Sequence, residues 1–267
     1  MEASSVRVRP LTTGVVRPKR GDRGARRYLP GGWDDATLPV HAFLVEHPAG
    51  ALLFDTGQEA AAAGPGYFPR WHPFFRLSRF ELGPEHEVAA QLERLGRPPS
   101  ELRWVVLSHL HTDHVGGIAA CAAAEILVSA TEWQRARGLG GRVRGYLPGR
   151  WPSGLRPRLL PLDTDPFGPF SASHDVAGDG SLLVVPLPGH TPGHVGLLVR
   201  DARAPVLRDL RRGVPVLIER HTALLMQDAA EVIARYQPPL RKVAFHCRIL
   251  YVTVINTGRI PTGIYSR

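Results

Sequence analysis

The chain has 267 residues, of which 43% are hydrophobic, and a formal net charge of +9. That is enough apolar material for one sizeable core, and no run of about eighteen apolar residues occurs that would predict a membrane-spanning helix. The charge is almost all arginine, with Lys19 and Lys242 the only lysines; it is scattered outside 17–27 and 135–150, so a nucleic-acid-binding surface is not expected from it.

Met1 to Arg7 lacks the apolar core of a signal peptide. Cys121 and Cys247 are the two cysteines, which gives no disulfide framework. Both read as free thiols in a reducing compartment, and the chain as cytoplasmic. The Gly/Arg-rich residues 17–27 read as an exposed loop. His41 to Glu46 and Ala51 to Phe54 flank His47-Pro48-Ala49-Gly50, which predicts a hairpin. It ends in Asp55-Thr56-Gly57. Asp55, at a strand end, either steadies a metal-ligating imidazole from behind or caps a turn. Residues 67–75 are dense in aromatics, and either line or cover an apolar pocket or shield a sheet edge. Glu85 to Leu95 has Val88, Ala89, Leu92 and Leu95 at helical spacing, with Gly96 and Pro98-Pro99 to end it.

Arg103 to Leu107 reads as a buried strand. It runs into Ser108-His109-Leu110-His111-Thr112-Asp113-His114, then Val115-Gly116-Gly117, a backbone that turns sharply. Functional groups often sit on such loops at strand ends. Imidazole and carboxylate are the preferred ligands of zinc and its first-row neighbours. His109 and His111 are one residue apart, so in an extended loop they point the same way, while Asp113 and His114 point elsewhere. The spacing therefore suits two metals. The bland alternative is a polar loop rich in histidine.

Downstream, Glu125 to Val128 predicts a strand followed by a helix carrying Trp133. Gly138 to Trp151 is rich in Gly, Arg and Pro and reads as a mobile loop near the site. Leu182 to Leu187 predicts a strand entering Pro188-Gly189-His190-Thr191-Pro192-Gly193-His194. His190, on a Gly/Pro loop at a strand end, suits a further metal ligand. His194 opens the apolar run Val195 to Val199 and reads as a support behind the ligands. No internal repeat or domain linker is evident, and residues 1–267 read as one domain.

Phe54-Asp55-Thr56-Gly57, the stretch from Leu107 to Gly117, and Pro188 to His194 together resemble the metallo-β-lactamase superfamily. Leu38 to Glu46 and the Ser-His-Leu-His-x-Asp-His-x-Gly-Gly wording are most similar to the N-acyl-homoserine lactone lactonases within it. The resemblance runs from about Val6 to Val199. It implies an α/β fold, a four-layer αββα sandwich of two mixed sheets flanked by helices. It also implies two zinc ions per chain, with another divalent first-row metal as the alternative. His109, His111 and His190 would hold the first; Asp113, His114 and a later His the second; a later Asp would bridge both. For the bridge, Asp228 ends an apolar run beginning at Ala223, while Asp209 has the more usual spacing from His190. For the last ligand, His246 closes the run Lys242 to Phe245, with His221 as the alternative. The tyrosine that lactonases carry after the bridging Asp has no counterpart, and residues 200–267 diverge from the family.

The function implied is metal-dependent hydrolysis of an ester or lactone by activated water, with Asp113 orienting the water and passing a proton to the leaving alkoxide. The substrate would be a small acylated lactone or ester, in the manner of quorum-quenching enzymes. A homodimer is compatible with this reading; no membrane or nucleic-acid partner is expected. Alternatives are hydrolysis of thioesters, β-lactams or phosphodiesters, and a metal-binding scaffold without activity.

Overall fold

The computed structural model describes residues 6–19, 32–33, 35, 37–72, 75–163, 165–167 and 170–200, with the backbone of 74, 216–219, 222–225 and 252–253. Thirteen strands among them form two sheets. The first contains β1 (Arg7–Pro18), β2 (Leu38–Glu46), β3 (Ala51–Phe54), β4 (Ser78–Glu81), β5 (Leu102–Val106), β6 (Glu125–Ser129) and β7 (Arg158–Leu160), ordered β4-β1-β2-β3-β5-β6-β7. Its early strands pair antiparallel, and β3, β5, β6 and β7 pair parallel. The second contains β8 (His174–Asp175), β9 (Leu182–Pro186), β10 (Val195–Arg200), β11 (Val216–Glu219), β12 (Thr222–Leu225) and β13 (Val252–Thr253), ordered β13-β11-β12-β10-β9-β8. It too is mixed, since β11 and β13 run parallel.

The side-chain alternation of the strands explains why the sheets stack. On β2, Phe43 and Val45 point to one face and Ala42 and Leu44 to the other; on β3, Leu52 and Phe54 oppose Leu53. The first set meets Leu182 and Val184 of β9 and Val195, Leu197 and Val199 of β10 in the core between the sheets. The second set packs outward, against Val88 and Leu92 of α2 (Val88–Arg94; α1 is Phe74–Leu77), Val115 of α3 (Thr112–Val115) and Ala136 of α4 (Ala130–Ala136). Strands buried on both faces read as continuous apolar runs, which is the pattern of Trp104-Val105-Val106. The helical layer expected outside the second sheet falls outside the described residues.

Two expectations change in detail, and one open alternative is resolved. The helix predicted from Glu85 splits into a 3-10 turn, Pro84–His86, and α2. Glu87 between them is extended and its Oε1 accepts from the Ala60 N–H at 2.7 Å. The segment read as a mobile loop contains α5 (Gly138–Val143) and a 3-10 turn, Pro148–Arg150. It is tied down by Tyr146, which is 1% exposed. The aromatics shield a sheet edge: Phe68 stacks on Phe75 and Phe80 (centroids 4.4 and 5.2 Å) and Tyr67 meets it edge-on, beside Val16 and Leu82.

Buried His41 on β2 makes stability sensitive to acid. Burial lowers its pKa from 6.5 to about 4, a backbone hydrogen bond with Leu11 opposing this weakly. Between those values the unfolded chain binds the proton and the folded chain does not, so stability falls as pH falls. The expected loss is about 3 kcal/mol by pH 4. In denaturant titrations across this range, His41→Leu should flatten the pH slope by about one proton; an unchanged slope would show that His41 does not contribute.

Candidate metal centre

Two loops, one from each sheet, meet at the candidate site. The first leaves β5 through Leu107 and Ser108. His109-Leu110-His111 is loop, and Thr112 begins the single turn of α3, so Asp113 and His114 stand on helix. Gly117 is required here, because a β-carbon would overlap the Thr56 carbonyl oxygen. The second loop joins β9 to β10 and carries His190 and His194. Its own bonds, Leu187 N–H to His194 O at 2.8 Å and Gly189 N–H to Thr191 O at 3.1 Å, shape it. The Val195 N–H donates to the Ser108 carbonyl at 2.9 Å and joins the two loops directly.

One ligand atom each from His109, His111 and His190 lie within 4.8 Å of one another. His111 Nδ1 faces His190 Nε2 at 2.9 Å. The His109 ring centroid lies 4.0 Å from that of His114, 4.9 Å from that of His190 and 5.1 Å from that of His194. Asp113 Oδ2 is 3.5 Å from His114 Nε2.

Hydrogen bonds around the rim set which nitrogen of His111 and of His114 faces the cluster. His111 Nε2–H donates to the Arg144 carbonyl at 3.1 Å, leaving Nδ1 toward His190. His114 Nδ1–H donates to Asp55 Oδ2 at 3.1 Å, leaving Nε2 toward Asp113. Ser108 Oγ donates to Asp55 Oδ2 at 2.7 Å and lies 3.0 Å from His109 Nδ1, which donates to it. His194 Nδ1–H donates to the Leu187 carbonyl at 3.2 Å; its buried Nε2 makes no hydrogen bond among the described residues. Fixing one ring nitrogen to an oxygen so that the other ligates is how proteins prepare histidine for metals.

For His109, His111 and His194 the electrostatics agree. Burial and the neighbouring imidazoles push His109 well below the usual histidine value, and burial and His190 bring His111 to about 4. His194 is lowered to about 3, again chiefly by burial. Neutral imidazole is the ligating form. Burial also opposes charge on His114, but Asp113 and Asp55 outweigh it and hold that ring well above its ordinary value. Burial pushes the Asp113 carboxyl up, and the charge of His114 and its hydrogen bond outweigh that, leaving it below the carboxylate range. These donors fit a first-row divalent metal in kind, and His114 would release its proton on binding one.

The structure thus brings His109, His111, Asp113, His114 and His190 together, with Asp55 and His194 behind them. Asp55, fully buried, also accepts from the Ser108 N–H at 2.7 Å, and its backbone is left-handed with φ 61°. Asp228, Asp209, His246, His221 and Cys247 lie outside the described residues. Cys121 is a buried free thiol, raised by burial to about 12.

Sequence reasoning missed Glu132, Tyr146 and Thr191. Glu132 is fully buried on α4, and Tyr146 lies 4.8 Å, centroid to centroid, from the His111 ring. The one available signal was Ser129-Ala130-Thr131-Glu132, which reads as a helix-capping pattern. Ser129 does cap α4 by accepting from the Glu132 N–H, but the Glu132 carboxylate turns inward.

A stacked two-sheet α/β fold with histidine-rich loops at one edge defines a class of metallo-hydrolase scaffold. The profile of the Metallo-beta-lactamase superfamily matches residues 36–207, and the chain belongs to that superfamily. It is 34% identical over 177 residues to the N-acyl homoserine lactonase AttM of Azorhizobium caulinodans, which covers 62% of this chain and 61% of that protein. It is 34% identical over 251 residues to the probable metallo-hydrolase Rv2300c of Mycobacterium tuberculosis, covering 83% and 78%. The fold is similar to that of an N-acyl homoserine lactone hydrolase solved with N-hexanoyl-L-homoserine at its catalytic metal center, with TM-score 0.55, 22% identity and coverage of 74% and 72%. No helix among the described residues is long and apolar enough to cross a membrane.

Asp55→Ala should destabilise the protein by about 3–5 kcal/mol, because it strips the acceptor from a buried imidazole and from both Ser108 donors. Asp55→Asn, which keeps one acceptor oxygen, should lose less. Equal stability of Asp55→Ala and the parent protein in urea titrations would contradict the network.

Proposed function

We propose that the protein is a zinc-dependent hydrolase that opens the ring ester of an N-acyl homoserine lactone or a closely related acylated lactone, with two metal ions per chain. The observation that carries this reading is the convergence of His109, His111 and His190, from loops on different sheets, beside Asp113 and His114. The similarity to AttM lactonases supports the substrate class.

On this reading His109, His111 and His190 hold one metal, and Asp113 and His114 hold part of a second with Asp228 and His246. The bound metals supply a Lewis acid for the carbonyl and a low pKa for attacking water. The protein's own groups do the rest. Asp113, ionised and with its side chain 26% exposed, would orient the attacking water, accept its proton and pass it to the alkoxide released on ring opening. Asp55, Ser108 and the Arg144 carbonyl keep the imidazoles in the ligating orientation. The 2.8 Å hydrogen bond from Tyr146 to Glu132 holds the wall beside His111 in place.

The test is elemental analysis of purified protein together with turnover of N-hexanoyl homoserine lactone, followed by base consumption at constant pH. The expected result is about two zinc ions per chain, with His111→Ala losing metal and at least about 100-fold in rate. Thioester, β-lactam and phosphodiester substrates run in parallel should be turned over far more slowly. Unchanged metal and rate in His111→Ala would end the proposal.

A further inference from the structure

Among the described residues, Glu132 is the one carboxylate that hydrogen-bonds both histidine-bearing loops. Its Oε1 accepts from the Leu110 N–H at 3.1 Å and from the Tyr146 hydroxyl at 2.8 Å. Its Oε2 accepts from the Thr191 hydroxyl at 2.7 Å and from the Gly193 N–H at 3.2 Å. Leu110 lies between His109 and His111; Thr191 and Gly193 lie between His190 and His194. Each oxygen therefore serves one loop, and the rigid carboxylate plane spans the gap. The backbones are equally close: a β-carbon on Gly193 would overlap the Glu132 N and Cα. Among the described residues no lysine or arginine pairs with this acid.

A fully buried acid without a cation is costly, and apolar residues of similar volume generally fill such a space more cheaply. Helix capping does not explain it, because Ser129 caps α4. What the four donors share is their place in, or against, the two loops. We infer that Glu132 is a positioning residue that sets the spacing of His190 relative to His109 and His111, and so tunes the affinity and reactivity of the metal centre. The inference rests on the metal-hydrolase reading above.

The mutant series is Glu132→Gln, Thr191→Val and Tyr146→Phe, compared with the parent protein for zinc affinity by competition with a chromogenic chelator, metal-free thermal melting, and lactone kcat and KM. In Glu132→Gln one oxygen becomes an NH2 that faces either the Leu110 or the Gly193 N–H, so the hold on one loop is lost. Zinc affinity should drop roughly 10- to 100-fold, the usual cost of removing a group that orients metal ligands, and kcat should fall with KM little changed. Thr191→Val and Tyr146→Phe each remove a single donor and should weaken zinc binding in the same direction by smaller factors. They keep the test decisive if Glu132→Gln fails to fold. Lower metal-free melting temperatures with unchanged zinc affinity in the folded variants would make Glu132 a purely structural acid and overturn the inference. Absence of zinc binding by the parent protein would instead overturn the metal-hydrolase reading on which it rests.

Discussion

The hydrogen bond from Val195, which opens β10, to Ser108, on the loop after β5, ties the two histidine-bearing loops together across the sheets. The candidate ligands come from both sheets: His109 and His111 follow β5, while His190 precedes β10. The apolar layer of Phe43, Leu52, Phe54 and Val106 against Val184, Val195 and Leu197 fixes the distance between the sheets. Close-packed cores hold position with little compliance, so the loops at their edge inherit that rigidity. Packing between sheets thereby becomes the positional accuracy of imidazole nitrogens.

The site is also unusual in its charge balance. Asp55 and Glu132 are both fully buried, yet their recorded partners are N–H and O–H groups and one imidazole, not arginine. The abundant arginine is used elsewhere. Arg17 forks onto Glu81, and Arg9 and Arg97 converge on Glu46. Such exposed or half-exposed pairs contribute little stability individually. Among the described residues neither buried acid takes an arginine partner, so the negative charge of Asp55 and Glu132 is left to N–H and O–H donors and to the imidazole of His114.

Much of this was legible in the chain itself. The apolar runs at 103–107, 125–128, 182–187 and 195–199 became β5, β6, β9 and β10, because strands buried on both faces admit few polar residues. The histidines stood out because chemistry-bearing residues clustered at strand ends. Glu132 did not, since Ser-x-x-Glu looks the same whether the acid caps its helix or turns into the core. The stretch 138–151 misled for a related reason: glycines suggest mobility, and the groups that anchor it, Tyr146 on Glu132, His72 on Val143 and His111 on Arg144, find their partners in other elements. Period and composition report on local structure; a hydrogen bond to a distant carboxylate leaves no local mark.

Asp55 shows how narrow the choice at one position becomes. Its main chain adopts a left-handed turn that aspartate, asparagine and glycine tolerate far better than other residues. Its side chain must also accept from two Ser108 groups and from His114, and a neutral amide has only one oxygen to offer. The backbone filters the twenty amino acids to a few, and the donors filter those few to one. A position screened twice, by independent criteria, admits almost no substitute.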